Sequence, residues 1–122
     1  MVLIKHNDLR MIEKRKHIRY RTLVKACIIG VPDGDVIVKD LSVTGCRIEA
    51  ATYISIAPNT TYTLEVTPEH AAKIGKFELS VESRWMRAGI DSCEIGFAIL
   101  ASPKGKFFER YVDYLAWQSS KV

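Results

Sequence analysis

Phe77-Glu78-Leu79-Ser80-Val81-Glu82-Ser83-Arg84-Trp85 is the stretch on which the reading of this chain turns. Phe77, Leu79, Val81, Ser83 and Trp85 share one parity; Glu78, Ser80, Glu82 and Arg84 share the other. Successive side chains of a strand point to opposite faces, so the alternation predicts a β-strand with one face on a core and one in water. Trp85 carries the parity of Phe77, Leu79 and Val81, which places it in that core.

The same period recurs on both sides. Ala88-Gly89-Ile90-Asp91 reads as a turn, after which Ile95, Phe97 and Ile99 alternate with Glu94, Gly96 and Ala98. Upstream, Tyr62, Leu64 and Val66 alternate with Thr61, Thr63 and Glu65 after a break at Pro58-Asn59, and residues 67–76 have room for one helical turn. Cys46, Ile48 and Ala50 alternate with Arg47 and Glu49. Val24–Ile29 and Val36–Leu41 flank Val31-Pro32-Asp33-Gly34-Asp35, a hairpin turn in which proline presets one backbone angle and glycine takes the positive φ. At the end the period changes. Phe107, Phe108, Tyr111, Val112 and Leu115 recur at helical spacing, with Ser102 as the expected N-cap and Pro103 at the first helical position. About six short antiparallel strands followed by one amphipathic helix predict a mainly β domain, a small barrel or sandwich with the helix against one opening.

Composition bounds the rest. At 122 residues the chain suits a single core, and 48% apolar with 26% charged residues is ordinary for a globular domain. No apolar run is long enough to span a bilayer, and Met1-Val2-Leu3-Ile4 is broken at once by Lys5, so neither membrane insertion nor a secretory leader is expected and the cytoplasm is the expected location. Cys27, Cys46 and Cys93 are far apart, with no C-x-x-C pair, and His6, His17 and His70 lack zinc-ligand spacing; the thiols are expected to act as small core hydrophobes, with no metal and no cofactor. No paired carboxylates or nucleophile–base spacing suggest an enzyme. The net charge of +4 is uneven: residues 1–25 hold eight basic and two acidic residues, a balance of +6, leaving −2 for the remainder. Residues 1–21 therefore read as a flexible basic N-terminal arm suited to an anionic partner, and 22–122 as the folded domain.

Two short patterns lie in the arm and at the end of the second strand: Arg15-Lys16-His17-Ile18-Arg19 and Asp40-Leu41-Ser42-Val43-Thr44-Gly45. Taken alone, the second is also what a plain turn looks like, with Asp40 and Ser42 bonding the backbone and Gly45 supplying a positive φ. In this order and spacing they resemble the PilZ domain, whose signature is R-x-x-x-R followed some twenty residues later by [D/N]-x-S-x-x-G. Glu13-Lys14-Arg15-Lys16-His17 is similar to the family's charged lead-in, and Val81–Trp85 with Glu94-Ile95-Gly96-Phe97 to its later strands; the resemblance covers roughly residues 12–116. It departs at Thr44, where a second glycine is frequent, and at Lys14, a position that in the family influences whether one ligand or an intercalated pair is bound.

The resemblance implies a six-stranded antiparallel β-barrel with a C-terminal helix, and a receptor for cyclic di-GMP that signals through an effector protein. Each implied site residue suits a feature of that ligand. Arg15 and Arg19 can clamp phosphate in a planar fork or stack on guanine, Asp40 can accept from the guanine N1–H and N2–H₂ donors, Ser42 can bond phosphate or base, and Gly45 lets the ligand near the main chain. Lys14 bears on stoichiometry. Trp85 has a second reading here, since some members place an aromatic near the guanine. Arg47, Arg84 and Arg87 read as solvated strand residues or secondary contacts. Ligand binding is expected to fold the arm over the barrel mouth. Two alternatives remain: a PilZ-like adaptor that binds only proteins, which typically lacks the motif arginines, and a basic β-barrel binding single-stranded nucleic acid, which would want several exposed aromatics where the arm offers only Tyr20. Tyr114 and Trp117 on the helix serve either helix packing or a partner surface; oligomeric state is open.

Overall fold

The computed structural model describes residues 18–102 and 106–120. Six strands form in chain order: β1 (Tyr20–Ile28), β2 (Asp35–Leu41), β3 (Gly45–Ala50), β4 (Thr61–Thr67), β5 (Phe77–Ala88) and β6 (Cys93–Ala101). A single 3₁₀ turn, His70–Ala72, occupies the connection where the sequence leaves room for one helical turn, and the helix α1 spans Phe107–Ser119. Every pairing is antiparallel, and the order β1-β2-β3-β6-β5-β4 closes on itself as a barrel. Closure satisfies the ladder hydrogen bonds that an open sheet would leave at its edges.

The barrel is filled by the residues whose parity points inward. Val24, Ala26 and Ile28 of β1, Val36 and Val38 of β2, Ile48 of β3, Leu64 and Val66 of β4, Leu79 and Val81 of β5 and Ile95 of β6 are all buried. Cys46 and Cys93 belong to this core as expected, and burial pushes the Cys46 thiol up to about 12. Cys27 does not. It lies between inward Ala26 and Ile28, so its parity turns it outward, where desolvation and the Asp35 and Glu65 carboxylates raise its pKa.

α1 closes the end of the barrel where β1 and β5 begin. Phe108, Tyr111, Val112 and Leu115 are buried, with Phe77 of β5 meeting the rings of Phe108 and Tyr111 at 5.8 and 5.9 Å. Tyr111 is the largest fully buried side chain. Its hydroxyl donates to Glu69 Oε1 (2.7 Å) and, having given its proton there, accepts from Thr22 Oγ1 (3.0 Å). The hydroxyl thus ties helix, barrel and connecting loop together. Tyr114 stacks on Tyr111 at 6.0 Å and carries Trp117 at 6.2 Å, so these rings extend the packing outward, and Trp117 stays half-exposed.

Two expectations are corrected in the connections. The helix N-cap is Lys106, without a side-chain capping bond, and not Ser102. β6 runs on to Ala101, paired with Ser80, and the Ser102 hydroxyl donates to the Glu78 carbonyl at 3.4 Å. Pro103 lies outside the described residues. Phe107 falls at the rim of the apolar stripe, 39% exposed, with the Arg110 guanidinium 5.8 Å from its ring centre. In the β1–β2 turn the positive φ values fall on Gly30 (79°) and Asp33 (59°), and not on Gly34.

Candidate functional site

The residues of interest sit on the outer wall of the barrel, and two irregularities in strand register put them there. Val36 and Val38 face inward, so strict alternation would send Asp40 inward as well. Val38 pairs with Ile48 but Asp40 with Arg47, two residues on β2 against one on β3. The extra residue, Lys39, forms a β-bulge that turns Asp40 outward and Leu41 inward. The same happens on β5. Ser83 pairs with Phe97 and Trp85 with Gly96, so Arg84 is the extra residue and the parity reverses after it. Ser83 stays inward, 2% exposed, its hydroxyl donating to the Ala57 carbonyl (2.5 Å) and accepting from the Thr60 amide (3.1 Å). Trp85 emerges on the outside, 45% exposed, which corrects its expected place in the core.

The register then lines up a row of outward residues across four strands: Asp40 of β2, Arg47 of β3, Gly96 of β6 and Trp85 of β5. They border a cavity of about 390 Å³, within the usual range for small-ligand sites, whose wall also includes Arg19, Thr44, Gly45 and Arg84. The charged groups are interlocked. Arg19 Nη1 donates to Asp40 Oδ1 and Arg47 Nε to Asp40 Oδ2, both at 2.9 Å. Arg47 Nη1 donates to Glu94 Oε2 (2.9 Å), and Arg87 Nη2 to Glu94 Oε1 (2.6 Å). The bond to Asp40 raises the Arg47 pKa, and the Arg87 bond, with help from Arg47, holds the Glu94 carboxyl below the usual carboxylate range. The Arg87 guanidinium lies 5.6 Å from the centre of the Trp85 ring, within cation–π reach.

Two glycines make this geometry sterically feasible. At Gly45 a Cβ would sit 2.9 Å from the Phe97 carbonyl and 3.2 Å from Arg19 Nη2, so its absence admits the arginine and lets β3 lie close to β6; Gly45 carries no positive φ. At Gly96 a Cβ would overlap the indole of Trp85. Gly96→Ala is expected to lift the indole off the wall, shifting the Trp85 fluorescence maximum toward the red in a Trp117→Phe background, while the melting temperature falls by no more than about 5 °C because the displaced group is a half-exposed side chain. An unshifted spectrum would mean that the indole does not rest on Gly96.

The residues singled out from the sequence thus divide by placement. The structure brings Arg19, Asp40, Gly45 and Trp85 together around one cavity. Ser42 is not among its lining residues: it is 1% exposed, its hydroxyl accepting from the Thr44 and Gly45 amides (3.2 and 3.1 Å) and donating to the Gly45 carbonyl at 3.2 Å, which closes the turn between β2 and β3. Lys14 and Arg15 lie outside the described residues. Arg47, by sequence a solvated residue or secondary contact, is central to the cluster, and Glu94, which the sequence places only within a strand the resemblance covers, has no role assigned to it there. The alternating positions of both mark them as outward-facing, but only cross-strand register shows that they meet.

This fold is shared with PilZ-domain structures. The chain superposes on the Bacillus subtilis inhibitor of motility MotI/DgrA with a TM-score of 0.69 at 13% identity, over 86% of this chain and 50% of that one. It matches Escherichia coli YcgR in complex with c-di-GMP (TM-score 0.61, 16% identity, 88% and 46% covered) and the PilZ domain of YcgR with c-di-GMP (0.64, 17%, 88% and 98%). The chain therefore spans about half the length of the first two proteins and nearly all of the isolated domain. No protein-family model and no curated protein matches the sequence. The fold is that of a PilZ domain. Among the described residues no helix is long and apolar enough to cross a membrane, and no group of three or more His, Cys, Asp or Glu side chains could hold a metal ion.

Proposed function

We propose that this protein is a receptor for cyclic di-GMP, binding it on the outer wall of the barrel and signalling through a partner protein. The observation that carries the reading is the Arg19–Asp40–Arg47 cluster lining a cavity on a fold shared with YcgR structures that hold the same ligand. Arg19 and Arg15, four positions apart in sequence, clamp the phosphates or stack on guanine. Each Asp40 oxygen has a lone pair beyond the one its arginine uses, so the carboxylate can hold both arginines and still accept from guanine N1–H and N2–H₂. Trp85 offers a flat face to a base, Gly45 leaves room for Arg19, and Ser42 fixes the turn. Lys14 bears on whether one ligand or a pair is held. Binding folds the arm ahead of β1 onto the barrel beside Asp40 and Arg47, and so presents a new surface to the effector.

Calorimetric titration with cyclic di-GMP tests this. Saturable binding is expected in the wild-type chain and a loss of tenfold or more in Arg19→Ala. A single-stranded RNA oligomer should give only weak, steeply salt-dependent heats. No heat with cyclic di-GMP would overturn the receptor reading, and tight RNA binding would replace it with the nucleic-acid one. Equal hydrogen-exchange protection of the residues ahead of β1 with and without ligand would overturn the ordering step alone.

A further inference from the structure

Glu94 lies outside both sequence patterns and does not line the cavity, yet it bonds Arg87 and also Arg47, which does line it. It stands directly opposite Glu49 in the β3–β6 ladder, a like-charge pairing that is unfavourable by itself. Each carboxylate is drawn to different cations: Glu49 to Lys39 at 3.6 Å, Glu94 to Arg47 and Arg87. Arg87 is the directly opposite residue on β5, and Arg47 sits diagonally across on β3. One carboxylate oxygen serves each arginine. Arg47 is thereby held at two nitrogens, Nε by Asp40 and Nη1 by Glu94, while no described residue bonds its Nη2. A long side chain on an outer wall would otherwise sample many rotamers, and holding it at two points removes most of that entropy before a ligand arrives.

We propose that Glu94 is a positioning residue for the ligand site: with Arg87 fixing its orientation, it holds Arg47 so that the remaining nitrogen, Nη2, meets an incoming phosphate or guanine edge. The proposal rests on the receptor reading above and adds to it a residue that acts through another. It differs from a purely structural role in where its effect must vanish. Glu94 works through Arg47, so the two must be coupled in binding; a residue that merely supports the barrel would lose affinity independently of Arg47.

The experiment is a double-mutant cycle read by calorimetry with cyclic di-GMP, using the full chain as wild type, Glu94→Gln, Arg47→Ala and the double variant, with Arg19→Ala as the reference for a lost clamp. Glu94→Gln is expected to weaken binding about tenfold, Arg47→Ala at least as much, and the double variant no more than Arg47→Ala alone. Melting temperatures of all variants should stay within a few degrees of wild type. Unchanged affinity in Glu94→Gln, with Arg19→Ala impaired, overturns the proposal and leaves the receptor reading standing. Losses that multiply in the double variant overturn it too, because Glu94 would then not act through Arg47. A wild-type chain that binds no cyclic di-GMP removes both.

Discussion

Asp40→Ala is expected to weaken cyclic di-GMP binding by about thirtyfold or more while moving the melting temperature by only a few degrees. The two magnitudes have different origins. Among the described residues Asp40 is the only link between Arg19 and Arg47, one on each oxygen. Without it the two guanidinium groups lose the counter-charge they share and the ligand loses its acceptor. Losing a hydrogen bond from ligand donors to a charged acceptor costs about 2 kcal/mol, which corresponds to about thirtyfold in affinity. Folding does not depend on the pair to that degree. Arg19 is 53% exposed, and solvent-exposed ion pairs contribute only about 0–1 kcal/mol. Asp40→Asn should fall between, since the amide keeps one acceptor oxygen. Calorimetry and thermal denaturation monitored by circular dichroism check both. An Asp40→Ala variant that binds as tightly as wild type would place the ligand elsewhere.

The second large effect falls on stability. Tyr111→Ala removes the largest fully buried side chain from the junction of α1 with the barrel. Aromatic-to-alanine substitutions in a core cost about 3–5 kcal/mol. At roughly 3–5 °C per kcal/mol for a domain of this size, the melting temperature should drop by about 15 °C. Tyr111→Phe keeps the ring between Phe77 and Tyr114 but leaves Glu69 and Thr22 without their shared hydroxyl. Its cost should be about 1–2 kcal/mol, or roughly 5 °C. If Tyr111→Ala melts within 3 °C of wild type, α1 does not belong to the cooperative unit.

Alternation in the sequence locates β3 to β6, because each is half in water and half in the core, and period two is the direct imprint of that condition; β1 and β2 are located by the turn between them, and β1 starts earlier, at Tyr20, than its apolar stretch suggests. The helix is legible for the same reason at its own period. Its start is not, because Ser102-Pro103 has the chemistry of a helix start while β6 continues to Ala101. Cys27 shows a different failure. Its neighbours Ala26 and Ile28 already set its parity, and judging it by residue type overrides a positional signal that is right. Alternation misplaces Trp85 because nothing distinguishes Arg84 from any other polar strand residue, so the extra residue has no local signature. In the site, Arg19, Asp40 and Gly45 are legible through a motif resemblance. Arg47 and Glu94 are not, since their roles depend on the β2–β3–β6 register, and that is set by the closure of the barrel.

The two bulges also change what counts as a mutation here. Lys39 and Arg84 each shift the phase of their strand by one residue. Pairing either strand regularly with every residue kept would rotate Asp40 or Trp85 toward the hydrophobic interior, whereas deleting the extra residue would restore plain alternation and leave both facing outward. A homologue can therefore lack Lys39 or Arg84 and keep these side chains on the outer wall, while one with every motif residue but no bulge would turn them inward. Transplanting the site onto another barrel requires matching the strand phase, with the bulge and its extra residue carried over together or both left out, along with the side chains themselves.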